Sequence, residues 1–379
     1  MTEAKAGKAL GAPTAARRLE SLDILRGLVV AAMLMVNFSL GAGDYLHFHV
    51  ASPLLHSAWA GFTVADAVFP VFLFIVGVSI AAGFPSAADG ASRRRVLGRT
   101  ARLLLLGFLL SNVTWLWMHD WSLEQGLRVF GVLQRIALCY CAASLLYRSI
   151  ALRSILSLAL LVLLLYWPLT LIAIPDGSST NLAARGMNFV SWFDRALLGP
   201  HRFVEGPAGY DSEGLLSTLP AIAECLLGVV AGRWFIERVA DRTSVAGFAL
   251  AGILIAGLGA AWGRCFPVVK DLWTSSFVLL STGTSMAVLA VIQLLMERGW
   301  FPRWLARFLQ VFGRNAILAY VIYLPGLIVI ALPPTRAAYR TLAAHISAAA
   351  ASLALAAAYM LLIWVPLAIL HRRGRYLRI

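Results

Sequence analysis

The stretch His56–Ser79, HSAWAGFTVADAVFPVFLFIVGVS, decides the fold. A polar entry carrying His56, Trp59, Gly61, Thr63 and Asp66 runs without a break into Phe69, Pro70 and a series of Phe, Leu, Ile and Val. An apolar run of this length reads as a membrane helix. An acid at the lip of such a helix, Asp66, is costly unless it is paired, hydrated or used. Pro70 removes one backbone N–H and frees a carbonyl one turn back, so a helix broken near its start is expected. A loop histidine beside a membrane helix is commonly an ordinary surface residue. What raises His56 is its company: Trp59, Asp66 and the proline within a few turns. Histidine is also the side chain best suited to take and return a proton near neutral pH.

Outward from that stretch, composition sets the class. The 379 residues are 60% hydrophobic and 13% charged, with a mean hydropathy of +0.80. A soluble domain sits near half apolar and a quarter charged, so the chain reads as all-α, a polytopic transmembrane helical bundle in a lipid bilayer. The net charge of +14 invites a nucleic-acid reading, but the basic residues are dispersed among loops and no RNA-binding motif accompanies them. No nucleic-acid partner is expected. Cys139, Cys141, Cys225 and Cys265 lie in or beside apolar segments with no metal-ligand spacing, and read as small core residues rather than disulfides or metal ligands. His47 and His49 form a His-x-His pair with no carboxylate at fixed spacing, which is weak evidence for a metal. None is expected.

Ten segments approach the roughly 20 residues a bilayer requires, near 23–42, 63–84, 97–116, 127–147, 152–174, 215–236, 245–263, 274–296, 307–331 and 345–370. With both termini cytoplasmic, 23 of the 32 Lys and Arg residues fall on the inner side and eight on the outer, with Arg135 inside the membrane. That bias is the positive-inside pattern. Residues 1–18, rich in Ala, Gly and Lys and lacking an apolar core, read as a disordered cytoplasmic tail rather than a signal peptide. Residues 19–379 form the membrane domain. The loop holding His47, His49 and His56 then faces outward, as does the long polar loop 175–214, a candidate lid.

Polar residues in apolar helices mark further candidates. Asp23 and Arg26 stand i, i+3 on one face and are placed to pair. Asn37 near the outer end of the first span reads as interhelical glue or as a site residue. Arg135, two turns into the fourth span, needs an anion: a ligand phosphate or carboxylate, or a buried acid such as Asp66 or Glu224. Asp211 and Glu213 precede the sixth span, where acids favour a helix N-terminus, and Ser217, Thr218 and Pro220 loosen its start as a cavity lining would. Arg314, Asn315, Tyr320 and Tyr323 bring polar groups to the ninth span.

The blocks LDILRGL, MVNF, HSAWAGFTVADAVFPVFLFIVGVSI, GVLQRIALCY, YDSEGLLSTLPAI with LLGVVAG, FPVVKDLWTSSFVL and GRNAILAY, in this order from Leu22 to Tyr320, resemble the heparan-α-glucosaminide N-acetyltransferase family. The resemblance implies a transmembrane acyltransferase that uses acetyl-CoA as donor and an amino sugar as acceptor, the two meeting from opposite sides of the membrane core. Its active-site histidine falls on His56 and its site asparagine on Asn37. Asp66 and Arg135 match further polar positions, with Trp59, Arg26, Asp211 and Asn315 completing the candidate substrate- and donor-binding set. Family membership also suggests a homodimer. Ala60 departs from the family's frequent Asn, and the lysosomal members carry a lumenal N-terminal domain and span where a short tail is expected here.

The chemistry expected of these residues is amide formation at a thioester. His56 acts as general base or as a transient acetyl carrier, Asn37 donates to the developing oxyanion, and Asp66 orients the imidazole. The Ala/Leu/Arg-rich composition looks bacterial, which places the chain in the cytoplasmic (inner) membrane and makes a cell-envelope glycan an alternative acceptor. The competing class is a transporter or flippase of an anionic or sugar-linked substrate, against which stands the lack of an internal repeat.

Overall fold

The computed structural model describes residues 20–83, 93–118, 127–204, 206–238 and 241–377. The expected tail at 1–18 and Glu205 lie outside them. Thirteen α-helices occur among the described residues: α1 (Glu20–Leu46), α2 (Val64–Gly83), α3 (Arg93–Met118), α4 (Val132–Ser149), α5 (Leu152–Thr170), α6 (Phe189–Leu198), α7 (Thr218–Arg238), α8 (Arg242–Trp262), α9 (Ser275–Glu297), α10 (Arg303–Arg314), α11 (Ala316–Ala331), α12 (Pro333–His345) and α13 (Ala348–Arg372). Eight of them are long and apolar enough to cross a membrane, nine when α10 and α11 are taken as one bent span. The tenth expected segment is α4, an 18-residue helix that carries Gln134, Arg135 and Arg148.

Burial sorts the helices into a centre and a rim. The α2 helix lies along α7 and also touches α1, α4 and α9. Close approach of α2 and α7 depends on Gly77 and Gly228: a Cβ on Gly77 would sit 2.1 Å from the Cys225 carbonyl oxygen, and one on Gly228 2.5 Å from that of Phe74. Without hydrophobic drive between helices in lipid, small residues that let backbones meet supply the packing. By contrast, α5 and α8 turn Leu160, Leu161, Leu164, Leu165, Ile253, Leu254 and Leu258 outward. Such apolar outer faces suit a bilayer and not water.

Several expectations need correction. Pro70 does not break α2, which runs unbroken from Val64 to Gly83. The proline falls in the second turn, and the one carbonyl it strands, that of Asp66 at i−4, lies at the helix mouth. The ninth segment is not one straight span: α10 and α11 meet at 74°. The chain turns at Asn315, whose backbone is non-helical (φ −120°, ψ 29°) and whose Nδ2 donates to the Val311 carbonyl at 3.1 Å. Gly313 packs there against the Asp23 carbonyl of α1, where a Cβ would stand 2.0 Å away. Cys139 and Cys225 are buried as expected, but Cys265 is exposed, because it sits in the turn after α8. The long loop 175–214 contains α6, capped by the Asn188 side chain accepting from the Ser191 N–H, and it buries Asp194 and Asp211.

Candidate active site

The His56 site is built on the first turn of α2. Thr63 stands at the N-cap and Asp66 three residues later, the spacing of a capping box. The Thr63 hydroxyl accepts from the Asp66 N–H at 3.2 Å, and Asp66 Oδ2 accepts from the Thr63 N–H at 3.1 Å. The same oxygen takes the Ser57 N–H at 3.1 Å. With Oδ2 occupied, Oδ1 is left for His56, whose Nδ1 lies 2.8 Å away. A carboxylate only accepts, so this contact assigns the imidazole proton to Nδ1 and the lone pair to Nε2. Asp66 is 1% exposed and the His56 side chain 34%. The imidazole is therefore held from behind by a buried acid while the ring lines the cavity.

A second element reaches the same imidazole from far along the chain. Gly61, at φ +147°, donates its N–H to the Val268 carbonyl at 2.8 Å, and Ala60 bridges Val269. That positive φ favours glycine. The bridge sets Lys270 against His56, with Nζ 3.3 Å from Nε2. Tyr210 of the long loop donates to Asp271 at 2.8 Å, and Trp59 Nε1 donates to the Leu182 carbonyl at 2.8 Å, so loop 175–214 is fastened to both sides of the site.

Behind the site stands a compact charged cluster. Arg128 pairs with Glu213 and lies 3.6 Å from Asp211, with its guanidinium over the Phe203 ring at 4.2 Å. Burial raises the Glu213 carboxyl, but Arg128, Arg135, Lys270 and the Ser212 hydroxyl together outweigh it and hold the group below its ordinary range. Asp211 is pushed up to about 6 by burial against the pull of Arg128. Asp194 is pushed up to about 7, by burial first and by the Asp211 charge second, while Arg135 and two backbone N–H groups pull it down.

A cavity of about 960 Å³ begins at this cluster. His56, Asp66, Lys270, Arg128 and Glu213 line one end, and Arg26, Ser79, Arg99 and Arg314 line the other, with Asn37, Phe72, Ile317, Tyr320 and Tyr323 between. Asp66 and Ser79 lie on the same helix, thirteen residues and so about 20 Å apart. The cavity thus follows most of the length of α2. At the far end Asp23 accepts from Arg26 Nη1 at 3.1 Å and stands 3.5 Å from Arg314, while Arg26 Nη2 donates to Ser79 Oγ at 2.8 Å. Arg99 lies over the Tyr140 ring.

Of the candidate residues, His56, Asn37, Asp66, Trp59 and Arg26 line this one cavity. Arg135, Asp211 and Asn315 do not. Arg135 is fully buried and pairs with neither Asp66 nor Glu224. Its Nη2 donates to the Gly214 carbonyl and Ser217 Oγ just ahead of α7, and its guanidinium lies over Trp273 at 5.0 Å. The buried cation serves a helix entrance and an aromatic face. Ser217 and Thr218 turn to the same Gly214 carbonyl and not to the cavity. Asp211 receives the backbone N–H groups of Phe203 and Glu213, which makes it a loop staple. Glu224 is held by Trp273 and Ser281. Nothing in the sequence beyond the FPVVKDLW block marks Lys270, and Tyr210 carries no signal apart from its place in the long polar loop and at the head of the YDSEGLLSTLPAI block. Among the described residues no cluster of three or more His, Cys, Asp and Glu is placed to hold a metal ion.

Comparison with known proteins agrees with the earlier resemblance. The family model described as "Heparan-alpha-glucosaminide N-acetyltransferase, catalytic" matches residues 18–264. The human heparan-alpha-glucosaminide N-acetyltransferase is 30% identical over 359 residues, covering 80% of this chain and 52% of the human protein. The mouse protein of the same name is 28% identical over 364 residues, covering 81% and 53%. The chain spans about half the length of the curated relatives it matches.

Proposed function

The chain belongs to the heparan-alpha-glucosaminide N-acetyltransferase family, and we propose that it is an integral-membrane acetyltransferase that moves an acetyl group from acetyl-CoA to the amine of an amino sugar or related envelope glycan. The observation that carries the reading is the cavity itself, with a His–Asp pair at one end and arginines at the other.

The distribution of Lys and Arg favours a cytoplasmic Arg26–Arg314 end, where CoA is made. Phosphate groups suit guanidinium forks, so Arg26, Arg99 and Arg314 hold the nucleotide end of the donor. The apolar middle of the cavity accepts the thin, uncharged pantetheine arm. This geometry delivers the thioester to His56, about 20 Å along α2. The acceptor enters from the opposite face, beneath loop 175–214.

At the thioester, the acceptor amine must lose a proton as it attacks. Asp66 holds the His56 proton on Nδ1 and leaves Nε2 to take it. The C–S bond then breaks, and the imidazole returns the proton to the departing thiolate. A double-displacement route uses the same nitrogen as nucleophile, with the acetyl group resting briefly on Nε2. Asn37, from the α1 wall, supplies a hydrogen bond to the carbonyl oxygen as it gains charge.

A cavity reaching from end to end also suits the transporter reading. The two part on one experiment. Purified protein in detergent is incubated with acetyl-CoA and glucosamine, beside His56→Ala, while free CoA and N-acetylated sugar are followed. Product that requires the amine and His56 supports the transferase. No product with any amine tested, or undiminished product from His56→Ala, overturns it.

A further inference from the structure

Lys270 Nζ lies 3.3 Å from His56 Nε2 and 3.5 Å from Nδ1. Near-equal distances place the ammonium out of the ring plane, since an in-plane approach at those distances would collide with Cε1. The Nε2 lone pair, which lies in the plane, therefore stays open to the cavity. Among the described residues, no carboxylate stands within 4.0 Å of Lys270 Nζ: Asp66 is engaged by His56, Glu213 by Arg128, and Asp271 by the Tyr210 hydroxyl. The buried Glu213 carboxylate acts on Lys270 only from beyond contact distance, so the half-buried ammonium is set against the imidazole with no contacting anion of its own. Three backbone contacts nonetheless fix it there. Gly61 donates to Val268, Val269 donates to Thr274 Oγ1 at 3.1 Å, and Trp273 donates to the Lys270 carbonyl at 2.9 Å. Trp273 accepts a φ of +54° in that turn, a conformation a bulky residue rarely adopts.

A cation in that position gains a contacting anion only while the reaction proceeds. Attack on the thioester carbonyl, by the amine or by Nε2, opens the C=O bond and puts negative charge on oxygen within reach of Nζ. The charge is gone once the C–S bond has broken and the thiolate has taken its proton. An interaction made only with that fleeting charge raises kcat and leaves ground-state binding alone. Resting on the transferase reading, we propose that Lys270 is a catalytic residue, the ammonium that stabilises the tetrahedral oxyanion formed beside His56.

The test uses purified full-length wild type, Lys270→Met, Lys270→Gln and Lys270→Arg. With acetyl-CoA and glucosamine, Lys270→Met and Lys270→Gln are expected to lose roughly 10²-fold in kcat while KM for acetyl-CoA moves less than about threefold. Lys270→Arg, which keeps the charge, recovers part of the loss. A Lys270→Met kcat within about threefold of wild type overturns the proposal. A second measurement does not depend on the natural reaction. Diethyl pyrocarbonate is attacked at its carbonyl by Nε2 through the same kind of oxyanion, and peptide-resolved mass spectrometry follows His56 alone. A slower modification of His56 in Lys270→Met, with Lys270→Arg near wild type, supports the assignment. An unchanged or faster one refutes it. Should wild type transfer no acetyl group at all, the transferase reading fails, and the pyrocarbonate rate still decides the role of Lys270.

Discussion

His56 and Asp66 are joined by a 2.8 Å contact from Nδ1 to Oδ1, and the same aspartate closes the capping box of α2. One carboxylate thus serves the helix and the imidazole at once. Backbone N–H groups fill Oδ2, and what remains at Oδ1 has a fixed direction. A helix N-terminus that also needs the acid makes the orientation of His56 part of the fold.

The first prediction separates these two duties. In Asp66→Asn the amide keeps the shape, and its carbonyl still caps Thr63. The group facing Nδ1 becomes an NH₂ donor, which favours the tautomer with the proton on Nε2 and removes the base. An asparagine in the equivalent relation to a catalytic histidine lowers kcat by about 10⁴, and a fall of at least about 10²-fold is expected here. Stability changes by only about 1 kcal/mol, the scale of a cap. Steady-state kinetics beside a thermal melt checks both, and a full-rate Asp66→Asn protein would remove the dyad from the mechanism.

How much of this was legible in the sequence follows from distance along the chain. Thr63, Asp66 and the polar entry that holds His56 fall within a few turns, so the cap, the acid and the histidine read together. Asp23 and Arg26 likewise share a face and do pair. The apolar helices were legible because a bilayer demands long runs. The bend at Asn315 and the short helices α6 and α12 were not, since each depends on contacts made elsewhere. Lys270 is 214 residues from His56, and only the bridge through Gly61 and Val268 unites them. Arg135 is harder to read for a physical reason: a cation inside a membrane helix signals something costly, but whether its answer is a ligand, a buried acid or a carbonyl such as that of Gly214 is a matter of tertiary packing.

The second prediction concerns pH. Burial pushes Asp194 up to about 7, far above the ordinary carboxylate value of ~3.9. In the unfolded chain the group ionises first, so the folded state binds the extra proton. The stability it contributes is complete below about pH 4 and is lost as pH rises through about 7. Asp194→Asn removes that dependence. Melting temperatures of wild type and Asp194→Asn, measured from about pH 4 to pH 8, are expected to diverge as pH rises, with the variant relatively more stable at the alkaline end. Parallel curves would mean that Asp194 is already ionised in the folded protein.

The last prediction tests which end of the cavity holds the donor. Arg99 and Arg314 line the end opposite His56, about 20 Å from the chemistry, and neither is placed to touch the reacting atoms. A phosphate contact there acts equally on the ground state and the transition state, so its loss raises KM and spares kcat. Arg314→Gln and Arg99→Gln are each expected to raise KM for acetyl-CoA by roughly tenfold, the worth of one charge-assisted hydrogen bond of about 1.4 kcal/mol. KM for the amino sugar should stay unchanged. Raising salt should weaken wild-type donor binding more than that of either variant, because an exposed arginine–phosphate attraction is screened. If instead both substitutions leave the donor KM alone and raise that of the acceptor, the donor and acceptor ends of the cavity must be exchanged. The imidazole, carboxylate and ammonium at the His56 end would then have to meet a thioester arriving from the loop 175–214 side.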